Sequence, residues 1–281
     1  MLVTLSARCK GSTHQKEGKP LQDYCKVTSD KLKTYAYALV ADGHGGKRYI
    51  RSEKGSEIAV RCAVECTNAI LKQIFQFIPG KNKDLIEKNL KLLCVKISIK
   101  WKEEVINHFN ENPLSQEETE RCNNLHMALP LKEEDIPSLY GSTLLEAVYF
   151  EMFNFWFALQ IGDGKCTVIK TNNTVFSPEE LENEKLGFGV TTSLCSKDAA
   201  TEFRFAYGFE KINGISVMSD GMADSFDTSK LPDFILNLKN NTVNDGEKTQ
   251  AELQDFLPVL SEQGSGDDIS IAAIFSKKGF I

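Results

Sequence analysis

The chain has 281 residues, 41% of them hydrophobic and 26% charged, a balance that supports a sizeable buried core and excludes a disordered polymer. Its formal net charge of -6 argues against a nucleic-acid or anionic-membrane surface, since both partners repel a net-negative protein. No apolar run approaches the ~20 residues of a membrane span, and the richest, Leu144 to Ile161, is broken by Glu146 and Glu151. The opening MLVTLSARCK lacks the apolar stretch of a secretory leader. Eight cysteines, at Cys9, Cys25, Cys62, Cys66, Cys94, Cys122, Cys166 and Cys195, form no C-x-x-C pair. Reduced, structural thiols and a cytoplasmic location are therefore expected. The length is expected to fold as one domain, 1–281, with two domains as the alternative, and a monomer is the default expectation.

Tyr35 to Val40, YAYALV, is a short aromatic and apolar run that stops at Ala41-Asp42-Gly43-His44-Gly45-Gly46. This predicts a buried strand entering a tight polar turn. Ser56 to Phe77 sets Ile58, Cys62, Cys66, Ala69, Ile70, Ile74 and Phe77 near helical spacing, and Pro79 and Gly80 end it. Asp84 to Phe109 does the same with Leu85, Leu92, Leu93, Ile97, Trp101, Val105 and Phe109. The short link between them predicts an antiparallel helix pair. Residues 111–138 are polar and acidic and carry Pro113, Pro130 and Pro137, which reads as an insertion or long loop with little regular structure.

From Ser142 to Lys170 the pattern turns to strands, LLEAVYF, FWFALQI and CTVIK. Residues 171–200 read as loop and include Gly187-Phe188-Gly189. Strands are predicted at Glu202 to Ala206 and Ile215 to Met218, helices over 229–240 and 248–262, and a closing strand at Ile269 to Phe275. Strands grouped in meanders with helices in separate blocks predict an α+β sandwich, sheets inside and helices outside.

Four aspartates fall where predicted strands end: Asp42, Asp163, Asp220 and, just before ISIAAIF, Asp267. Carboxylates on one rim of a sandwich repel one another unless cations neutralise them, and hard oxygen ligands suit Mg²⁺ or Mn²⁺. Gly43, Gly164 and Gly221 follow three of them and would let the backbone turn sharply or an ion approach closely. Asp-Gly is also a common turn dipeptide, so each pair taken singly reads as a plain turn. Four at strand ends is the stronger signal.

In order, YAYALVADGHGG, YGSTLLEAVYF, FALQIGDGKC, SVMSDGMAD and GDDIS, preceded by the Gln-Asp of GKPLQDY, resemble the successive signatures of the metal-dependent type 2C protein serine/threonine phosphatases. The resemblance runs from about Gly11 to Phe275. It implies a four-layer α/β/β/α sandwich, two antiparallel sheets flanked by helix pairs, with a two-metal centre at one end. By position, Asp42 resembles the carboxylate bridging both metals and Gly43 a ligand through its carbonyl. Asp220 and Asp267 resemble ligands of the first metal, and Asp23 a ligand of the second, directly or through water. Asp268 falls where an asparagine is usual. Asp163 and Asp224 match positions that in some members hold a third ion. The implied reaction is hydrolysis of phosphoserine and phosphothreonine on phosphoprotein substrates, by a water bridging two divalent ions about 4 Å apart. His44 matches the proposed general acid, its plainer reading being a turn residue bonded to its own loop.

The chain departs from the family pattern at the phosphate grip. Many members carry an arginine ahead of the Glu-Asp or Gln-Asp pair, and GSTHQKEGKPLQDY has none. His14, Lys16 or Lys19 are the candidate phosphate-binding donors, although none reproduces the bidentate guanidinium fork. Gln22 replaces a glutamate of some members, which removes one metal-side carboxylate. Residues 171–206 are expected to form a flap near the site, with Thr191, Thr192 and Ser193 facing the cleft or serving as a hinge or turn. The missing arginine supports a second reading, a catalytically weak or dead relative that binds phosphoproteins as a regulatory module. Hydrolysis of a small phosphate ester is a third.

Overall fold

Chain order in the structure, a computed structural model that describes residues 1–182 and 191–277, begins with β1 (Leu2–Cys9), α1 (Ser12–Glu17), β2 (Tyr24–Ser29) and β3 (Tyr35–Ala41). The helices α2 (Ser52–Phe77), α3 (Lys83–Glu111) and α4 (Gln116–Asn124) follow, then β4 (Leu144–Phe150), β5 (Phe155–Ile161), β6 (Lys165–Lys170) and β7 (Val175–Phe176). The last part holds α5 (Ala199–Glu202), β8 (Arg204–Gly208), β9 (Ile212–Met218), α6 (Asp220–Ala223), α7 (Leu231–Asn244), α8 (Gly246–Gln263) and β10 (Ile269–Ser276).

The strands form two five-stranded sheets, β1-β10-β9-β6-β7 and β2-β3-β4-β5-β8, in which neighbours pair antiparallel. Side chains alternate faces along a strand, and here both faces are buried. On β3, Tyr37, Leu39 and Ala41 pack toward α2 and α3, whereas Ala36, Ala38 and Val40 enter the layer between the sheets. On β10, Ala272 and Ile274 join that middle layer, while Ile271, Ala273 and Phe275 pack with Leu231, Ile235 and Leu257 of α7 and α8. Three apolar layers thus separate four structural ones, which is the α/β/β/α sandwich. It also explains why these antiparallel strands read as continuous apolar runs.

Both long helices form where expected, but the buried stripe of α3 runs through Ile86, Leu90, Leu93, Ile97, Trp101 and Val105. Leu92 of the predicted stripe is 41% exposed. The segment 111–138 is more regular than its composition suggests. Ser115 caps α4 with a reciprocal capping box through Glu118, and a 3₁₀ turn spans Glu133–Leu139. The carboxylate of Glu118 also receives Arg51 Nε at 2.7 Å and Nη2 at 2.8 Å, which supplies the tertiary contact that an isolated short helix lacks. Within 171–200, β7 and the first residues of α5 are ordered elements where loop was expected, whereas Gly187-Phe188-Gly189 and part of the expected flap lie outside the described residues. The eight thiols are all free, as expected. Among the described residues, no helix is long and apolar enough to cross a membrane.

Candidate metal centre

Antiparallel pairing carries the predicted aspartates to one end of the sandwich. Val40 pairs with Leu145 and Leu144 with Ile161, so the residues following β3 and β5 lie on the same rim. Tyr24 opposite Ala41 brings Asp23 to that rim, and Ile271 opposite Met218 brings Asp267 and Asp220. The Asp42 loop is then fastened to its neighbours. Thr143 Oγ1 accepts from Asp42 N at 3.0 Å, Asp42 O accepts from Thr143 N at 2.8 Å, and Gly141 O accepts from His44 N at 3.0 Å.

Crowding, and not a left-handed backbone, explains two of the Asp-Gly glycines: neither Gly43 nor Gly221 has positive φ. A Cβ on Gly43 would lie 2.6 Å from Ser52 O and 2.8 Å from Gln22 O. On Gly221 it would lie 2.1 Å from Asp268 O. Either substitution would push apart backbones that carry candidate ligands.

The carboxylates press on one another. The Asp42 and Asp220 side chains are in hydrogen-bond contact, and Asp42 is raised well above the ordinary carboxylate range by burial, then by the charges of Asp23 and Asp220. Burial raises Asp23 to about 7, the Ser270 hydroxyl opposing and Asp268 adding to the rise. Burial, then Asp163, raises Asp220 to about 6. Asp23 Oδ2 accepts from Ser270 Oγ at 2.6 Å and the Ser219 hydroxyl also approaches the carboxylate, but the buried Oδ1 has no hydrogen-bond partner among the described residues. Buried carboxylates in mutual repulsion, one with an orphaned oxygen, fit divalent cations: the donors are hard oxygens and the missing component is positive charge.

On the outer rim, Asp163 is exposed, and its charge is felt by Asp220, Asp224, His44 and Arg204. Asp224 is raised by burial, then by Asp163, with Lys165 opposing. The His44 ring packs 4.8 Å from Tyr49, and its Nε2 lies 2.7 Å from Ser193 Oγ. Burial lowers the His44 pKa while Asp163 opposes. Of the three residues expected at the flap, Thr192 accepts from Gly162 N at 2.8 Å and Ser193 meets His44, so both abut the site. Thr191 Oγ1 donates to the neighbouring Thr192 O at 3.4 Å.

The three candidate phosphate donors separate. His14 is 7% exposed, with Nδ1 3.0 Å from Asp268 Oδ1. Lys19 Nζ pairs with Glu17 at 2.7 Å, and Lys16 is exposed. The sequence reading overlooked the work of Asp268, whose Oδ1 accepts from Gly11 N and Oδ2 from Gln22 N, both at 2.6 Å. No local pattern could have shown contacts between residues some 250 positions apart. Arg204, also overlooked, donates to Gly162 O and has a buried Nε without a partner among the described residues.

Solved structures of the same fold span almost the whole chain. The catalytic domain of the serine/threonine protein phosphatase PstP, in complex with two manganese ions, is 12% identical with a TM-score of 0.55, covering 98% of this chain and 97% of that one. The serine/threonine phosphatase of S. agalactiae is 14% identical with a TM-score of 0.56, covering 98% and 99%. PppA, a regulatory component of the T6SS in Pseudomonas aeruginosa, is 14% identical with a TM-score of 0.57, covering 98% and 97%. No curated protein matches the sequence. The sequence profile of the protein phosphatase 2C family matches residues 10–258, which includes Asp23, Asp42, Asp163, Asp220 and Asp224 and stops short of Asp267. By that match over most of its length, the chain belongs to the protein phosphatase 2C family.

Proposed function

We propose that this chain is an active phosphoprotein phosphatase that hydrolyses phosphoserine and phosphothreonine, using two divalent cations, Mn²⁺ or Mg²⁺, held by Asp23, Asp42, the Gly43 carbonyl, Asp220 and Asp267. The observation that carries this reading is the Asp42–Asp220 carboxyl contact, on which burial and other carboxylates act together. Divalent ions bound there supply an acidified water for attack on phosphorus and offset the phosphoryl charge.

The remaining tasks fall to side chains. His44 gives a proton to the leaving serine or threonine oxygen, and the Ser193 hydroxyl at 2.7 Å fixes the imidazole. Asp163 and Asp224 extend the carboxylate rim toward a third ion. Lys16, exposed on the helix that carries His14, offers the phosphate a positive partner, with Lys19 beside it. We take 1–281 to be a single catalytic domain, monomeric and cytoplasmic, with phosphoproteins and not nucleic acids or membranes as its partners.

The test is hydrolysis of a phosphothreonine peptide in Mn²⁺, Mg²⁺ or EDTA, comparing wild type with Asp42→Ala. Turnover should require metal and fall about a hundredfold or more in the variant, since even indirect support of a metal ligand is worth about 10–100-fold. Turnover that survives EDTA would refute the mechanism. Tight phosphopeptide binding without turnover by the metal-loaded wild type would favour the regulatory binding module instead.

A further inference from the structure

His14 faces the carboxylate centre in a way that a phosphate donor would not. Its Nδ1 lies 3.0 Å from Asp268 Oδ1, and that carboxylate is pinned by the Gly11 and Gln22 amides at 2.6 Å each. The imidazole's approach is within ion-pair range without being a hydrogen bond, since Nδ1 has no hydrogen-bond partner among the described residues; a neutral imidazole carrying its proton there, beside a carboxylate, leaves Nε2 with a lone pair. Nε2 in turn lies 3.8 Å from Asp267 Oδ1. That is too far for a hydrogen bond, yet two donors each about 2.1 Å from one cation can stand up to about 4.2 Å apart.

Gln22 supplies an independent sign. Its amide Nε2 donates to His44 O at 3.1 Å and to Ser52 Oγ, which fixes the orientation, and its buried Oε1 is left without a donor among the described residues. The space beside Gly45 joins the two: a Cβ there would lie 3.8 Å from Gln22 Oε1 and 3.9 Å from His14 Nε2. Lone pairs of His14, Asp267 and Gln22 thus border a region with an orphaned acceptor. Asp268 Oδ1 stands 3.0 Å from Nδ1, on the side of the ring where a carboxylate supports metal-ligating imidazoles.

We infer that His14 Nε2 is a metal ligand, with Asp268 beside its Nδ1 and Asp267 and Gln22 acting with it, which turns an all-oxygen centre into a mixed nitrogen and oxygen one. This rests on the proposal that the carboxylates hold divalent ions. Imidazole nitrogen suits transition ions, whereas Mg²⁺ favours oxygen alone. The centre therefore selects a divalent transition ion over Mg²⁺, with Mn²⁺ the convenient probe.

Electron spin-echo spectroscopy of the Mn²⁺-loaded wild type should show ¹⁴N modulation from a directly bound imidazole. His14→Asn is the informative variant, because its amide keeps a polar group beside Asp268 while removing Nε2. His14→Gln is the second, should the first fail to fold. Either should lose the modulation, bind Mn²⁺ about tenfold or more weakly by titration, and keep its Mg²⁺ affinity. Mn²⁺ bound without ¹⁴N modulation, or with modulation that persists in the variant, overturns the inference and leaves the carboxylate centre standing. Failure of the wild type to bind Mn²⁺ at all overturns both. A raised KM for phosphopeptide with unchanged Mn²⁺ affinity would return His14 to the phosphate.

Discussion

Glu146 lies fully buried in β4, on the face that packs against α2, away from the centre. Thr67 Oγ1 donates to its Oε2 at 3.0 Å, and its Oε1 has no partner among the described residues. Burial raises its pKa from 4.5 to about 8, with Thr67 opposing. The unfolded chain releases this proton near 4.5 and the folded chain only near 8. The stability it contributes is therefore full at acid pH and is lost as pH rises through that window, at about 1.4 kcal/mol per unit. Glu146→Gln cannot ionise. In urea unfolding, its stability relative to wild type should improve by roughly 2–4 kcal/mol between about pH 5 and pH 8.5. An equal difference at the two pH values would mean that Glu146 does not titrate in the fold.

The short helix α4 has a role that its sequence only half reveals. Glu118 caps its first turn through Ser115 and clasps Arg51, the residue that closes the DGHGG loop and opens α2. Arg51 also donates to Asn112 O at 2.7 Å and Tyr140 Oη at 2.9 Å, and its backbone N to Leu139 O at 2.9 Å. Glu118→Gln should cost about 2 kcal/mol, less than the roughly 3–5 of breaking a fully buried pair, because Arg51 keeps these other acceptors. Hydrogen exchange should quicken across residues 43–52, and exchange faster only within 116–124 would confine the effect to α4. The Ser-x-x-Glu capping pattern was readable at 115–118, but prolines and acidic composition outweighed it in the expectation of a loop. What was readable generally was local: apolar periodicity marked α2, α3 and most strands, and turn residues at strand ends marked Asp42, Asp163 and Asp220. β1 did carry a readable period of two, Val3, Leu5, Ala7 and Cys9 alternating with Thr4, Ser6 and Arg8, which the expectation left unused, whereas α1 escaped because six residues are too few for a helical period. The contacts of His14 and Asp268 belong to no segment, since only tertiary pairing of the two chain ends creates them.

The molecule as a whole places its weakness and its chemistry at the same end. Antiparallel pairing within each sheet, and the packing of one sheet on the other, deliver Asp23 and Asp42 from one sheet and Asp220 and Asp267 from the other. Their repulsion therefore acts directly across the sandwich. Without metal, that repulsion opposes folding; divalent ions held by the same carboxylates would tie the two sheets together, and binding to the folded state alone would add RT ln(1 + [L]/Kd). At a hundredfold excess of Mn²⁺ over Kd this is about 2.7 kcal/mol, or about 5 °C in Tm for a chain of this size. Asp220→Asn removes one charge from the buried set without changing its shape. Metal-free, the variant should melt at or above the wild-type Tm, because Asp42 and Asp23 then face one fewer carboxylate. In Mn²⁺ it should lose most of the 5 °C gain, so the order of the two proteins reverses between EDTA and metal in a thermal melt. A variant less stable than wild type in EDTA and still raised by the full amount in Mn²⁺ would place the ion elsewhere and leave Asp220 as a helix-terminal residue of α6.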